Sequence, residues 1–243
     1  MMHENRILLI GGGGAGKTTL LDALVGRKIL SGKGTSEITC VYHEVGNNTP
    51  PTIYKCNNYV GVKFCSDISN QKICFIDTPW GYKHDDIPIL ERIILNNNIT
   101  TILFVISAHH PNFLEDYKAL AKVREGIKSI FCITRCDDFD PEIDDVFGLI
   151  DYLKKDIKTQ MSEVGIDNPT IVTVSPLRAL TIKREYSGDC SIRAYRFAKW
   201  HDEESLFHLD RYCDNVVESN GDELLKHTGI LNLEELIYEE RKN

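Results

Sequence analysis

Long hydrophobic runs are missing from this chain of 243 residues. The longest, Ile102–Ile106 with Thr101 ahead of it, falls far short of the roughly 20 apolar residues that a membrane-spanning helix needs. Arg6 interrupts the first apolar stretch and a glycine-rich segment follows at once, so no signal peptide is expected. Paired cysteine motifs are missing too. Eight cysteines are scattered at 40, 56, 65, 74, 132, 136, 190 and 213, with no CxxC. The Cys132–Cys136 spacing lacks the second pair of a zinc site. Cys74 and Cys132 sit inside apolar runs, where a thiol behaves as a small hydrophobe, and reduced cysteines point to a cytoplasmic protein. An excess of basic charge is also lacking. The net charge of -8 argues against non-specific binding to nucleic acid. The densest basic cluster, Lys183 to Arg196, reads as solvated surface. Lack of a spanning segment remains compatible with peripheral membrane association. There are no repeats, no low-complexity tracts and no linker, which predicts one domain over 1–243 with a helical C-terminal part from about 203.

What is present is ordinary globular material, 42% hydrophobic and 26% charged. Five apolar runs read as buried strands: Arg6–Ile10, Lys72–Ile76, Thr101–Ser107, Ser129–Thr134 and Thr170–Val174. Such near-continuous runs suit parallel strands covered on both faces. Helices are expected over Gly16–Arg27, Ile87–Asn97, Asn112–Gly126 and Pro141–Glu163, with Ile87, Leu90, Ile94 and Leu95 on one face of the second. Further strands, Ile38–Val45, Ile53–Cys56 and Tyr59–Cys65, follow one another with only turns between them and read as antiparallel additions to a sheet edge. Lys183–Asp202 reads as a long loop, Glu203–Glu218 as helical and Asn232–Arg241 as a last helix. The fold class is α/β: a mostly parallel, doubly wound sheet with an antiparallel edge addition.

One strand end carries a specific motif. After Arg6–Ile10 comes Gly11-Gly12-Gly13-Gly14-Ala15-Gly16-Lys17-Thr18, then Thr19 and a helix. This is G-x-x-x-x-G-K-T in its strand–loop–helix setting, a phosphate-binding P-loop. The glycines let successive N–H groups point at phosphate oxygens, and the helix N-terminus adds its dipole and free amides. Lys17 is expected to reach the β- and γ-phosphates, and Thr18 to offer its hydroxyl to Mg²⁺. The residues placed against nucleotide are Gly13, Gly14, Ala15, Gly16, Lys17, Thr18 and Thr19. Asp77, ending a strand expected beside the first, is the carboxylate for the metal.

A second loop selects the base. Thr134-Arg135-Cys136-Asp137 follows the strand Ser129–Ile133. A carboxylate at Asp137 would accept hydrogen bonds from guanine N1–H and its exocyclic amine, a pair that adenine lacks. Arg135 would cover the ring face, and Thr134 would tie this loop to the P-loop. Ser175-Pro176-Leu177 reads as a loop closing over the base edge. The alternatives are a plain polar turn at Asp137, and with it an ATP-dependent P-loop enzyme indifferent to that residue.

The order Gly-rich loop, Asp77-Thr78-Pro79, Thr134-Arg135-Cys136-Asp137, Val174-Ser175-Pro176 resembles the motif series of the translation-factor-related GTPases over roughly residues 6 to 180. Within them the chain is similar to dynamin-like GTPase domains, through the loop, Leu24-Val25-Gly26-Arg27, Ile29-Leu30 and Thr228-Gly229-Ile230. The septin-like immunity-associated GTPases are the nearest competitor, through Gly26-Arg27-Lys28 and Ser36-Glu37-Ile38-Thr39. The resemblance implies GTP/GDP as the bound nucleotide, Mg²⁺, hydrolysis involving Lys17, and a switch threonine between the first helix and second strand that ligates the metal. Thr39 is the choice, with Thr35 the other candidate. It also implies a homodimer across the nucleotide face or a larger protein partner. Four departures stand out. Gly13 replaces a water-positioning glutamine, Gly14 replaces a side chain that helps to bind a cation, Trp80 takes the glycine position of the Asp-x-x-Gly motif, and Arg135 replaces a lysine. The first three bear on hydrolysis rather than binding, so slow hydrolysis by the isolated chain is expected. His84 is a lone loop histidine that could orient water.

Overall fold

Ile7, Leu8, Leu9 and Ile10 are fully buried in a central strand, with alternate side chains entering opposite cores. This is the computed structural model of the chain; it describes residues 5–29, 38–44, 52–56, 72–78, 87–111, 117–118, 120, 126–139, 145–186, 225 and 228–238. Among them, seven strands form one sheet: β1 (Asn5–Gly11), β2 (Ile38–Glu44), β3 (Thr52–Cys56), β4 (Lys72–Asp77), β5 (Thr101–Ser107), β6 (Lys128–Thr134) and β7 (Thr170–Thr173). Their order is β3-β2-β4-β1-β5-β6-β7. The five from β4 to β7 run parallel, while β2 is antiparallel to β4 and β3 antiparallel to β2. The expected parallel sheet with an antiparallel edge is therefore what forms.

Helices cover both faces. On one, α2 (Ile87–Asn96) and α3 (Val146–Ser162) pack on Leu8, Ile10, Ile76, Phe104 and Phe131. The other face carries α1 (Lys17–Val25), α4 (Pro176–Tyr186) and α5 (Ile230–Tyr238) on Ile7, Leu9, Phe75, Leu103 and Cys132. In α3 the buried residues Val146, Ile150, Leu153, Ile157 and Met161 recur at helical spacing, and Asp145 caps its start by accepting from the Gly148 N–H. Phe104 stacks on Phe131 at 4.9 Å between centroids, with Tyr117 at 5.0 Å. Each fully buried side chain of this size contributes roughly 1.5–3 kcal/mol.

The structure corrects several expectations. Pro176 does not lie in a loop: it is the first residue of α4, where its fixed φ suits a helix and its missing N–H costs nothing. Lys183 to Tyr186, expected as loop, continue that helix. In α2, Ile93 rather than Leu95 completes the buried stripe, and Leu95 is exposed. The helix expected from Pro141 is described from Val146, and the last helix starts at Ile230 rather than Asn232. The expectations for Tyr59–Cys65, Glu203–Glu218, Trp80 and His84 lie outside the described residues, as does most of Asn112–Gly126.

The last helix is built into the body. Lys128 Nζ donates to the Leu236 carbonyl at 2.8 Å, and Asn5 Nδ2 to that of Ile237 at 3.2 Å. Lys183 Nζ donates to the Ala23 carbonyl at 2.8 Å and pairs with Glu234, which joins α1, α4 and α5. Thus Lys183 is a structural clamp and not part of a solvated patch. Gly229 makes the close approach possible. Its φ is +72°, and a β-carbon there would lie 2.0 Å from the Thr173 carbonyl oxygen. No helix among the described residues is long and apolar enough to cross a membrane.

Candidate functional site

In this sheet β1 lies between β4 and β5, and the helices after β1 and β4 take opposite faces. That is a topological switch point, where the crevice beyond the carboxyl ends of the strands receives ligands. The glycine loop stands there. Gly16, with φ +88°, turns the chain from loop into α1. No side chain caps α1 and its first turn holds no acid; the carboxylate beside that terminus is Asp77, which comes from β4. Lys17 is 5% exposed, and its ammonium donates to the carbonyls of Gly11 at 2.7 Å and Gly12 at 3.2 Å. Burial lowers its pKa from 10.5 to about 8, with the negative charge of Asp77 pulling the other way.

Thr18 Oγ1 donates to Asp77 Oδ2 at 3.0 Å, across 59 residues of sequence. Register explains the meeting: Leu9 of β1 pairs with Asp77 of β4, and the loop returns above them. Thr78 Oγ1 donates to the Leu9 carbonyl at 2.8 Å and locks that end of β4 to β1. Thr39 lies inside β2, within the strand expected over Ile38–Val45; it is buried, and its partner across the ladder is Asp77. Thr35 lies outside the described residues. No group of three or more His, Cys, Asp or Glu among the described residues is arranged to hold a metal ion. A hydroxyl and a carboxylate side by side next to a phosphate loop fit Mg²⁺, which takes one or two protein oxygens, keeps waters and borrows phosphate oxygens.

The base-side loop is more heavily braced than its sequence announced. Thr134 Oγ1 donates to the Ala15 carbonyl at 2.7 Å, a direct tie between the two loops. Arg135 has φ +63°, an uncommon conformation for a side chain of this size, and it opens a short 3₁₀ turn over Cys136–Asp138. Its guanidinium pairs with Asp138 at 3.4 Å rather than standing alone. Asp138 also meets His109 Nε2 at 3.2 Å, and that imidazole stacks on Phe139 at 4.3 Å. Cys132 and Cys136 are buried thiols pushed up to about 12 by loss of water, which suits neither a nucleophile nor a metal ligand.

Two features were not read from the sequence. Arg178, in the first turn of α4, lies against Asp137: Nε is 3.6 Å from Oδ2, and the side chains are 8% and 11% exposed. The only sequence cue was a basic residue three positions after Ser175. The Ser175 N–H donates to the Thr228 carbonyl at 2.9 Å, so the start of α4 is anchored by the C-terminal segment. The second feature is a small cleft beside the P-loop, lined by Gly12, Gly13, His110, Pro111 and Tyr117.

With this geometry in view, comparison with known proteins is informative at the level of architecture. Toc33 from Arabidopsis thaliana, solved as a dimerisation-deficient mutant, superposes with a TM-score of 0.51 at 16% identity, over 72% of each chain. The fold is that of a P-loop GTPase, a G domain. A bacterial selenocysteine-specific elongation factor, EF-Sec, matches at 18% identity and a TM-score of 0.47, over 77% of this chain and 28% of its own length. The matched part of the chain therefore spans less than a third of that factor. No family model and no curated protein matches the sequence. In this G domain, Gly11–Thr18, Asp77, Thr134–Asp137 and Ser175–Arg178 all lie at or just beyond the carboxyl ends of β1, β4, β6 and β7.

Proposed function

We propose that the chain is one Mg²⁺-dependent, GTP-binding G domain that hydrolyses GTP to GDP and phosphate as a conformational switch. The observation that carries this reading is the contact of Thr18 Oγ1 with Asp77 Oδ2 beneath a glycine loop whose lysine is already tethered to it. The loop amides, the α1 terminus and Lys17 bind and orient the polyphosphate. Thr18 and Asp77 would hold Mg²⁺, which supplies charge neutralisation at the phosphate oxygens when bound. Thr39 joins them if β2 shifts at its amino end, because its ladder partner is Asp77. Asp137 accepts from the guanine edge, Arg135 lies over the ring, and Ser175 and Pro176 border the base from the start of α4. In hydrolysis, water attacks the γ-phosphorus, the bond to the bridging oxygen breaks, and GDP leaves with the electron pair. Electrostatic positioning provides most of the rate in such a reaction.

Gly13 offers no side chain to place that water. The isolated chain therefore hydrolyses slowly, and pairing of two copies across the nucleotide face, or a larger protein partner, accelerates it. Toc33, solved as a dimerisation-deficient mutant, is a protein for which dimerisation is a property of its own. Within the GTPases we place the chain with the dynamin-like domains, acting in the cytoplasm. A second reading, a nucleotide-loaded interaction module with little turnover, is favoured by the same bare Gly13.

The deciding experiment identifies the nucleotide released on denaturing the purified protein, then compares thermal stabilisation by Mg–GDP and Mg–ADP. Retained GDP and selective stabilisation are expected, about 2.7 kcal/mol at a ligand concentration 100 times its Kd. Stabilisation by the adenine nucleotide alone would overturn the guanine assignment. Phosphate release no faster than that of Lys17→Ala would select the interaction module.

A further inference from the structure

We infer that Arg178 is a positioning residue for base selection: it keeps the Asp137 carboxylate ionised and turned toward the base, and so sets preference for guanine over adenine. This rests on the reading of Asp137 given above. Arg178 occupies the third position of α4, in the first turn, where a cation opposes the positive end of the helix dipole. It is also almost wholly buried, at 7% exposure. Both features cost free energy, and a cation in such a place needs compensation. Asp137 provides it, at 3.6 Å and equally withdrawn from water.

The distance matters. At 3.6 Å between Nε and Oδ2 the pair is within ion-pair range, so the guanidinium charge acts directly on the carboxylate. An ionised carboxylate accepts only, and it matches the two adjacent donors of guanine. A neutral carboxylic acid offers one donor and one acceptor, which matches adenine N1 and its amine. Burial favours the neutral acid and the Arg178 charge favours the ionised form. Removing Arg178 therefore shifts Asp137 toward the state that no longer rejects adenine.

The test uses the full chain and fluorescent GDP and ADP with Mg²⁺. Arg178→Ala is expected to weaken GDP binding by about 10-fold or more and to change ADP binding far less, so that the GDP-to-ADP ratio falls at least 10-fold. Arg178→Lys is expected to restore most of that ratio, since it returns the charge. A purely structural role would lower both nucleotides alike; equal losses, or no change in the ratio, overturn the proposal. Should Arg178→Ala fail to fold, Arg178→Gln and Arg178→Lys are compared, and equal ratios in those two overturn it. Asp137→Asn separates the underlying assignment. An amide donates where the carboxylate accepted, so binding is expected to move from GDP toward the xanthine nucleotide, whose ring carries a carbonyl in place of the amine. If Asp137→Asn leaves base preference unmoved, the Asp137 reading itself is wrong. If that variant switches while the Arg178 series does not, only the Arg178 proposal falls.

Discussion

The two ends of the proposed nucleotide crevice are made in different ways. At the proposed phosphate end, the residues come from one contiguous stretch, Gly11–Thr18, with Asp77 as its chief distant contributor. At the base end, Thr134 and Asp137 follow β6 while Arg178 lies in the first turn of α4, about forty residues on, and the region is braced by His109, Phe139 and the C-terminal Thr228. The first depends on backbone amides that any chain of that local shape supplies. The second depends on side chains held by tertiary contacts. The phosphate end should therefore be robust to loss of remote packing, and the base end should not.

The sharpest separation is expected from Lys17→Met. Losing the charge should weaken nucleotide binding by more than about 100-fold, while the ligand-free protein unfolds at the same temperature or higher, because a buried ammonium has been removed. Isothermal titration and a thermal melt on the same sample check both halves, and a large drop in melting temperature would contradict the burial argument.

Gly229→Val probes the opposite end. The β-carbon collides with the Thr173 carbonyl and the φ of +72° disfavours any side chain. The expected destabilisation is about 2–4 kcal/mol by denaturant unfolding. Because the Thr228 carbonyl anchors the Ser175 N–H, the remaining folded protein should lose GDP-over-ADP preference before it loses pyrophosphate binding. Proportional loss of both would erase the distinction between the ends.

Titration of Lys17 gives a third approach. Its folded pKa, about 8, lies below the ordinary 10.5, so between those values the unfolded chain binds more protons than the folded one. Stability of the ligand-free protein should rise with pH across that window, by roughly 3 kcal/mol from this group. It is read as the difference between wild type and Lys17→Met, since buried Cys132 and Cys136 contribute with the opposite sign above pH 9. Nucleotide binding should weaken over the same range, because the phosphates need the charged amine. A wild-type curve parallel to that of Lys17→Met would refute the assignment.

The smallest effect is expected from Thr134→Val, which deletes the 2.7 Å bond to Ala15 and leaves that carbonyl unsatisfied. A loss of about 1 kcal/mol, measured as GDP affinity, is expected. A double mutant with Arg178→Ala tests coupling of the two loops.

Much of this was legible in the sequence. The apolar runs at β1, β4, β5, β6 and β7 were visible because parallel strands bury both faces, and the antiparallel edge at β2 and β3 because only turn residues separate those runs. The glycine loop was visible because a tight strand-to-helix turn of this shape constrains residue type locally. Pro176 was misplaced into a loop because a proline can open a helix as readily as it ends one. Ile93 and Leu95 were confused because a helical stripe is wide enough to admit either.

By itself, then, the sequence determined a doubly wound sheet with an antiparallel edge and a glycine-rich loop between the first strand and its helix. Those are properties of periodicity and of contiguous motifs. Only the tertiary structure decided that Thr18 meets Asp77, that Thr39 stands across the ladder from it, that Lys183 clamps three helices and that Arg178 reaches Asp137. Such pairs depend on strand register and helix docking between residues far apart in the chain, and no local pattern encodes which distant charge will meet which.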